Sequence, residues 1–151
     1  MQNEKLELSN CSFFEHEVKS GLKQKRKLGK FINRLLLHYR QKANLVTYTF
    51  VSDEHLYQMN VQYLQHDTYT DIITFDLSDK KQNTLLCDIY ISIDRVKENA
   101  NGLGVSYQNE LLRVILHGAL HIAGFGDKTK AQKENMRALE TEWIARYLTE
   151  L

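Results

Sequence analysis

The most specific chemistry in the sequence lies in HGALHIAGFGD, residues 117–127. His117 and His121 are four residues apart in a run whose apolar residues predict a helix: Leu111, Leu112, Val114, Ile115, Leu116, Leu120 and Ile122. Side chains at i and i+4 leave the same helix face, about 5–6 Å apart at Cβ. Two imidazoles so placed can share one ion at Zn–N distances of roughly 2.0–2.1 Å. Gly124 stops the helix and lets the chain turn back, so Asp127 can supply a third ligand. Three protein ligands leave the fourth position to water, which is the arrangement of catalytic rather than structural zinc. The competing reading is a pair of helix histidines with no ligand role, since HxxxH recurs by chance. Against it, histidines among such apolar residues need polar partners if they are buried. In the HExxH pattern a glutamate general base follows the first histidine. Here that position is Gly118, which disfavours a standard metalloprotease. Water activation would then rest on the metal lowering its pKa. Gly118 instead allows a substrate or another backbone to come close.

These residues need a scaffold. Residues 4–9 and 45–51 (LVTYTFV) read as strands, the second from its β-branched and aromatic content. Between them, roughly 19–42, a basic amphipathic helix is predicted, with Leu28, Phe31, Ile32, Leu35 and Leu36 at helical spacing. Asp53 is a candidate cap for a helix reaching about Gln65, with Leu56, Met59, Asn60 and Tyr63 on one face. Residues 71–77 (DIITFDL) and 85–92 (LLCDIYIS) read as strands joined by a polar turn, and so as a hairpin. Ser92 and Ser106 are N-cap residues for the next two helices, and Gly102 and Gly104 end the first of them. Thr129 and Gln132 have capping-box spacing and open a last helix to about residue 149. The expectation is an α+β fold: one domain over 1–151, about four strands in a mixed sheet, about five helices, and a metal site at the end of a long central helix.

Length and composition agree with one ordinary globular domain of 151 residues. Cys11 and Cys87 lie far apart and form no CxxC unit, which speaks against a cysteine zinc site and a disulfide-linked partner. No apolar run approaches the ~20 residues of a membrane span, so no membrane partner is expected. The segment MQNEKLELSN has no basic region followed by an apolar one, so a cytoplasmic location is expected. Net charge is +1, yet nine of the twenty Lys and Arg residues fall between Lys19 and Lys42, where there is no Asp or Glu. Such asymmetry makes an anion-attracting face, or else a solvated helix surface kept basic for solubility.

HGALHIAGFGD resembles the H-G-x-L-H-L-x-G-Y-D-H signature of the YbeY family of metal-dependent endoribonucleases, which are associated with ribosomal RNA maturation. MNVQYLQHDTYTDIITFDL, residues 59–77, is similar to the family's L-N-x-x-Y-R-x-x-D-x-P-T-D-V-L-S-F stretch, and LLCDIYIS to its L-G-D-I-x-I-S strand. Met136 and Glu140 also fit. The likeness covers about residues 55–145 in one consistent order. It departs from the pattern at several positions. The family's third metal histidine falls on Asp127 and the aspartate before it on Gly126. The family arginine falls on Leu64, the proline on Tyr69 and the serine on Thr74. Aspartate is an acceptable zinc ligand, but it leaves the ion with less net charge and a less acidic water.

The resemblance implies a single-strand-specific endoribonuclease that uses one divalent ion per chain, expected to be Zn2+, to hydrolyse an RNA phosphodiester. His117 and His121 are the expected catalytic residues through the metal, with Asp127 as third ligand and Asp71 as a further catalytic candidate. Asp71 can instead cap or brace its loop. Lys23, Lys25, Arg26, Lys27, Lys30 and Arg34 are candidate phosphate contacts, with Lys128, Lys130, Lys133 and Arg137 on the other side. His66 is a candidate substitute for the missing arginine. Tyr63, Tyr69 and Phe125 are candidates for base stacking, and otherwise core residues. The expected partners are single-stranded RNA, ribosomal RNA and the ribosome. The alternatives are an RNA- or ribosome-binding protein with a non-catalytic metal, and a metallohydrolase of another substrate.

Overall fold

The structure is a computed structural model and describes residues 10–39, 41, 45–65, 68–79, 81 and 85–150. In order, the elements are β1 (Cys11–Glu15), α1 (Lys25–His38), β2 (Leu45–Val51), α2 (Asp53–Leu64), β3 (Ile72–Asp76), β4 (Leu86–Ser92), α3 (Ile93–Leu103), α4 (Tyr107–Ile122) and α5 (Lys130–Thr149). The described residues thus form the expected α+β arrangement. The sheet runs β1-β2-β4-β3, with β1, β2 and β4 parallel and β3 antiparallel to β4. It is therefore mixed, and β3 with β4 is the expected hairpin.

Alternation places Val46, Tyr48 and Phe50 of β2 and Cys87, Ile89 and Ile91 of β4 on one buried face. Against it pack Leu28, Phe31, Ile32, Leu35 and Leu36 of α1 and Leu111, Ile115 and Ala119 of α4. Burying each such large side chain contributes about 1.5–3 kcal/mol, which fixes α4 on the sheet. Two further contacts set its position. The Tyr48 hydroxyl donates to the Ile115 carbonyl at 2.8 Å. A Cβ on Gly118 would stand 3.1 Å from Ile72 Cδ1 and 3.3 Å from Ile89 Cδ1. The close approach at Gly118 is therefore to sheet side chains, not to a substrate or another backbone. A smaller cluster, Val51, Leu56 and Ile73, lies under α2 with Met59, Phe75 and Tyr90.

Some boundaries differ from the sequence expectation. The strand expected at 4–9 lies outside the described residues, and β1 at Cys11–Glu15 was not anticipated. The basic helix spans 25–38 rather than 19–42, because Gly21 (φ 67°) and Gln24 (φ 56°) hold left-handed backbone before it. The cap of α2 is Ser52, whose hydroxyl accepts from His55 N–H at 3.1 Å. Asp53 instead accepts from the Ser92 hydroxyl at 3.0 Å and pairs with Arg95 at 2.9 Å. Ser92 and Ser106 cap α3 and α4, Gly104 ends α3 in left-handed backbone, and Thr129 with Gln132 forms the full capping box of α5.

Candidate metal centre

The last two turns of α4 carry His117 and His121, with ring centroids 4.5 Å apart and planes near perpendicular. Past the helix, Gly124 takes φ 109°, a value suited to glycine, and the chain folds back. This brings Asp127 Oδ2 to 3.3 Å from both His117 Nε2 and His121 Nε2. In a tetrahedral shell with bonds of ~2.1 Å, ligand atoms stand roughly 3.4 Å apart. The donor set therefore fits a single small ion.

The other ring nitrogens are committed elsewhere. His117 Nδ1 meets Glu140 Oε2 of α5 at 2.6 Å, and His121 Nδ1 meets the Phe125 carbonyl at 2.9 Å. Both partners are acceptors, which favours a proton on each Nδ1 and leaves each Nε2 to face Asp127. Such outer partners set the tautomer and ring orientation of metal-binding histidines. Glu140 is itself held by Arg113 at 3.1 Å, and its side chain is only 8% exposed. Phe125 is fixed by Tyr39, whose ring meets it edge-on at 4.9 Å, and the Tyr39 hydroxyl accepts from Trp143 Nε1 at 2.9 Å.

The electrostatics favour a cation. Burial disfavours charge on His117, but the Glu140 hydrogen bond and the fields of Glu140, Asp127 and Asp71 outweigh it and raise its pKa. Burial pushes the Asp71 carboxyl above the usual range, against the opposing pull of His117. A cleft of about 420 Å³ opens beside the histidines, lined by Thr70, Asp71, Ile72, Thr74, His117, His121 and Asp127. No lysine or arginine lines it among the described residues.

A sequence model of the family described as Endoribonuclease YbeY matches residues 13–148. The chain belongs to the YbeY family. It is 50% identical over 105 residues to the Endoribonuclease YbeY of Christiangramia forsetii, covering 70% of this chain and 72% of the relative. It is 44% identical over 128 residues to that of Cytophaga hutchinsonii, covering 85% and 89%. It is 37% identical over 137 residues to that of Flavobacterium johnsoniae, covering 91% and 97%. The solution structure of a Thermotoga maritima protein superposes with a TM-score of 0.60 at 23% identity, covering 93% of each chain, which supports the fold.

In this YbeY chain the structure gathers His117, His121, Asp127 and Asp71 around one cleft. It does not bring all the basic candidates there. Lys128 and Lys130 follow Asp127 by one and three residues. Lys23 lies in a groove with Ser106 and Gln108, at the opposite end of α4. Fourteen residues of helix separate that end from His121, or about 21 Å. Lys25, Arg26 and Lys27 occupy the first turn of α1 near it, while Lys27 lies over the Tyr147 ring and Arg34 pairs with Glu150 at 2.6 Å. Leu64 is exposed at the end of α2, and His66 lies outside the described residues. Tyr63 and Tyr69 are exposed, and Phe125 packs against the core. The role of Glu140 escaped the sequence reading. A signal was present: Met136, Glu140, Trp143 and Tyr147 form one stripe of α5, so an acid occupies a core-facing position.

Proposed function

We propose that this chain is a metal-dependent endoribonuclease that hydrolyses phosphodiesters of single-stranded RNA during ribosomal RNA maturation. The observation that carries this reading is the His117–His121–Asp127 cluster, with each histidine Nδ1 held by an acceptor from behind, beside an open cleft that Asp71 also lines. The name borne by its YbeY relatives supplies the substrate class.

When bound, the ion, for which zinc is proposed, supplies Lewis-acid polarisation of a phosphate oxygen and acidifies water. His117 Nε2, His121 Nε2 and Asp127 Oδ2 hold it. Glu140 and the Phe125 carbonyl keep the two Nδ1 atoms protonated and the rings in place. Asp71 takes the proton of the attacking water on its carboxylate, a task that its raised pKa suits. The water oxygen bonds to phosphorus as the bond to the leaving ribose oxygen breaks, and that oxygen takes a proton from solvent to leave as an alcohol. Thr70 and Thr74 line the same space, and a threonine hydroxyl can donate to phosphate oxygens, although that of Thr70 already donates to the Ile72 carbonyl at 3.5 Å. The basic first turn of α1, which has no acidic residue to offset the helix dipole, gathers the RNA backbone at a distance from the cut, and Lys128 and Lys130 hold it near the ligands. We place the protein in the cytoplasm, in contact with the ribosome, as one domain over 1–151.

A purely structural metal would call for a closed site, whereas this one adjoins a cleft of about 420 Å³. A peptidase of the HExxH kind is disfavoured by packing, because a glutamate at Gly118 would drive into Ile72 and Ile89. The test is turnover of a defined single-stranded RNA by pure protein reloaded with zinc. Cleavage that requires metal and is lost in Asp127→Ala is expected. Equal cleavage by the chelated protein or by Asp127→Ala would overturn the reading.

A further inference from the structure

Asp71 reaches the cleft from the residue just before β3. Among the described residues no side chain donates to its carboxylate, and the hydrogen bond it accepts comes from its own backbone N–H. Its position is therefore set by the backbone that carries it. That backbone is tied at two points. Ser92 N–H donates to the Asp71 carbonyl at 2.9 Å, and the buried Asn60 amide donates to the Thr68 carbonyl at 2.7 Å. Between the two ties stands Tyr69, where the family pattern has proline, in a chain that contains no proline. A proline would restrain the backbone there through its own ring. Tyr69 is restrained from outside instead. Its ring stacks on Tyr57 of α2, with centroids 4.3 Å apart and planes at 19°. The Arg95 guanidinium of α3 lies over the same ring, 5.4 Å from its centroid, and Asp53 holds that guanidinium at 2.9 Å. Asp53 also accepts from the hydroxyl of Ser92, at 3.0 Å, so the ring and the Asp71 carbonyl are tied to one network. Stacking and cation–π contact need the face of the ring and not its hydroxyl, and the Tyr69 hydroxyl makes no hydrogen bond among the described residues.

We propose that Tyr69, clasped by Tyr57 and Arg95, is a positioning residue that holds Asp71 in the cleft by stacking, the task that a proline ring would perform through the backbone. The proposal rests on the reading above that Asp71 takes a proton from the attacking water, and it says what keeps that carboxylate in place. Tyr69 acts through Asp71 and on neither the metal ligands nor the RNA. Loss of the ring therefore lowers the rate of the chemical step and leaves substrate binding and zinc content as they were.

The experiment uses the full chain, zinc-loaded, and steady-state cleavage of a defined single-stranded RNA, with zinc content measured for every variant. Asp71→Asn should lower kcat by roughly 100- to 10,000-fold, the worth of a positioned base. Tyr69→Leu should lower kcat by about 10- to 100-fold with KM within about twofold of wild type, as expected when a reacting group is misplaced. Tyr57→Leu should do the same, because it removes the support from the other side of the stack. Tyr69→Phe keeps the stacking face and should restore kcat to within about twofold of wild type. In the Asp71→Asn background, adding Tyr69→Leu should change kcat by less than about threefold, since two residues acting as a unit are not additive. An unchanged kcat in Tyr69→Leu overturns the proposal. So does a rise in KM alone, which would make the ring an RNA contact, or a parallel loss of zinc, which would make it a general brace. A full further loss on top of Asp71→Asn overturns it as well, because the ring would then act through some other group. A wild-type kcat in Asp71→Asn overturns the reading of Asp71 itself, and the role of Tyr69 falls with it.

Discussion

At the scale of the residue, the centre turns on a carboxylate where the family pattern has an imidazole. Asp127 Oδ2 is equidistant from both histidine nitrogens at 3.3 Å, a spacing that suits a third ligand. Imidazole suits zinc well, so Asp127→His should keep or raise the affinity, as read by competition with a chelator of known strength. A large loss would mean that the loop cannot present the longer ring to the ion. The buried partner of His117 is testable apart from the ligands. Glu140→Gln keeps the size of the side chain but removes the charge that orients the ring, and should weaken metal binding by roughly 10- to 100-fold. An affinity equal to wild type in the same chelator titration would show that Glu140 serves Arg113 alone. The candidate ligands were legible in the sequence because their spacing is local: four residues on a helix, then a glycine stop. The Glu140 contact spans 23 residues between two helices, so only its place on a buried stripe hinted at it.

At the scale of the element, α1 poses a question of reach. Its first turn carries Lys25, Arg26 and Lys27 with no acidic residue, an arrangement that sets positive side chains against the positive end of the helix dipole. Such a turn weakens the helix slightly and is well suited to meeting an anion. Reversing Lys23, Lys25 and Arg26 to Glu should lower affinity for all single-stranded RNAs alike. It should also flatten the salt dependence, by about 0.7 in log–log slope for each phosphate of a single strand that is no longer neutralised. Zinc content should stay unchanged, because these residues lie about 21 Å along α4 from His121. Equal affinity and slope before and after reversal would mark them as a solvated face and leave phosphate binding to Lys128 and Lys130. The helix was readable from its apolar spacing, but its start was not. Gln24 is not a glycine, so no local pattern signals its left-handed backbone.

At the scale of the whole molecule, the number and kind of elements followed from periodicity and turn residues, whereas the strand order did not. Parallel pairing of β1, β2 and β4 is imposed by the helices that cross between them, and nothing in the strands themselves specifies it. The same assembly brings α1, α4 and α5 together at Trp143, the one tryptophan in a chain with eight tyrosines. Its indole is 5% exposed, with Arg146 4.4 Å from its centroid, and is bonded to Tyr39, which touches Phe125, which in turn holds His121. The protein thereby carries its own optical reporter. Emission excited selectively at the indole should be blue-shifted in the folded chain and should change in intensity as zinc is added to metal-free protein, with a midpoint matching the chelator competition. In His121→Ala the signal should stay flat across the same titration. A flat signal in a wild-type sample that demonstrably takes up zinc would show that the aromatic chain does not transmit occupancy to the indole. If the emission does change, loading and unloading of the centre can be followed in real time without label, substrate or dye.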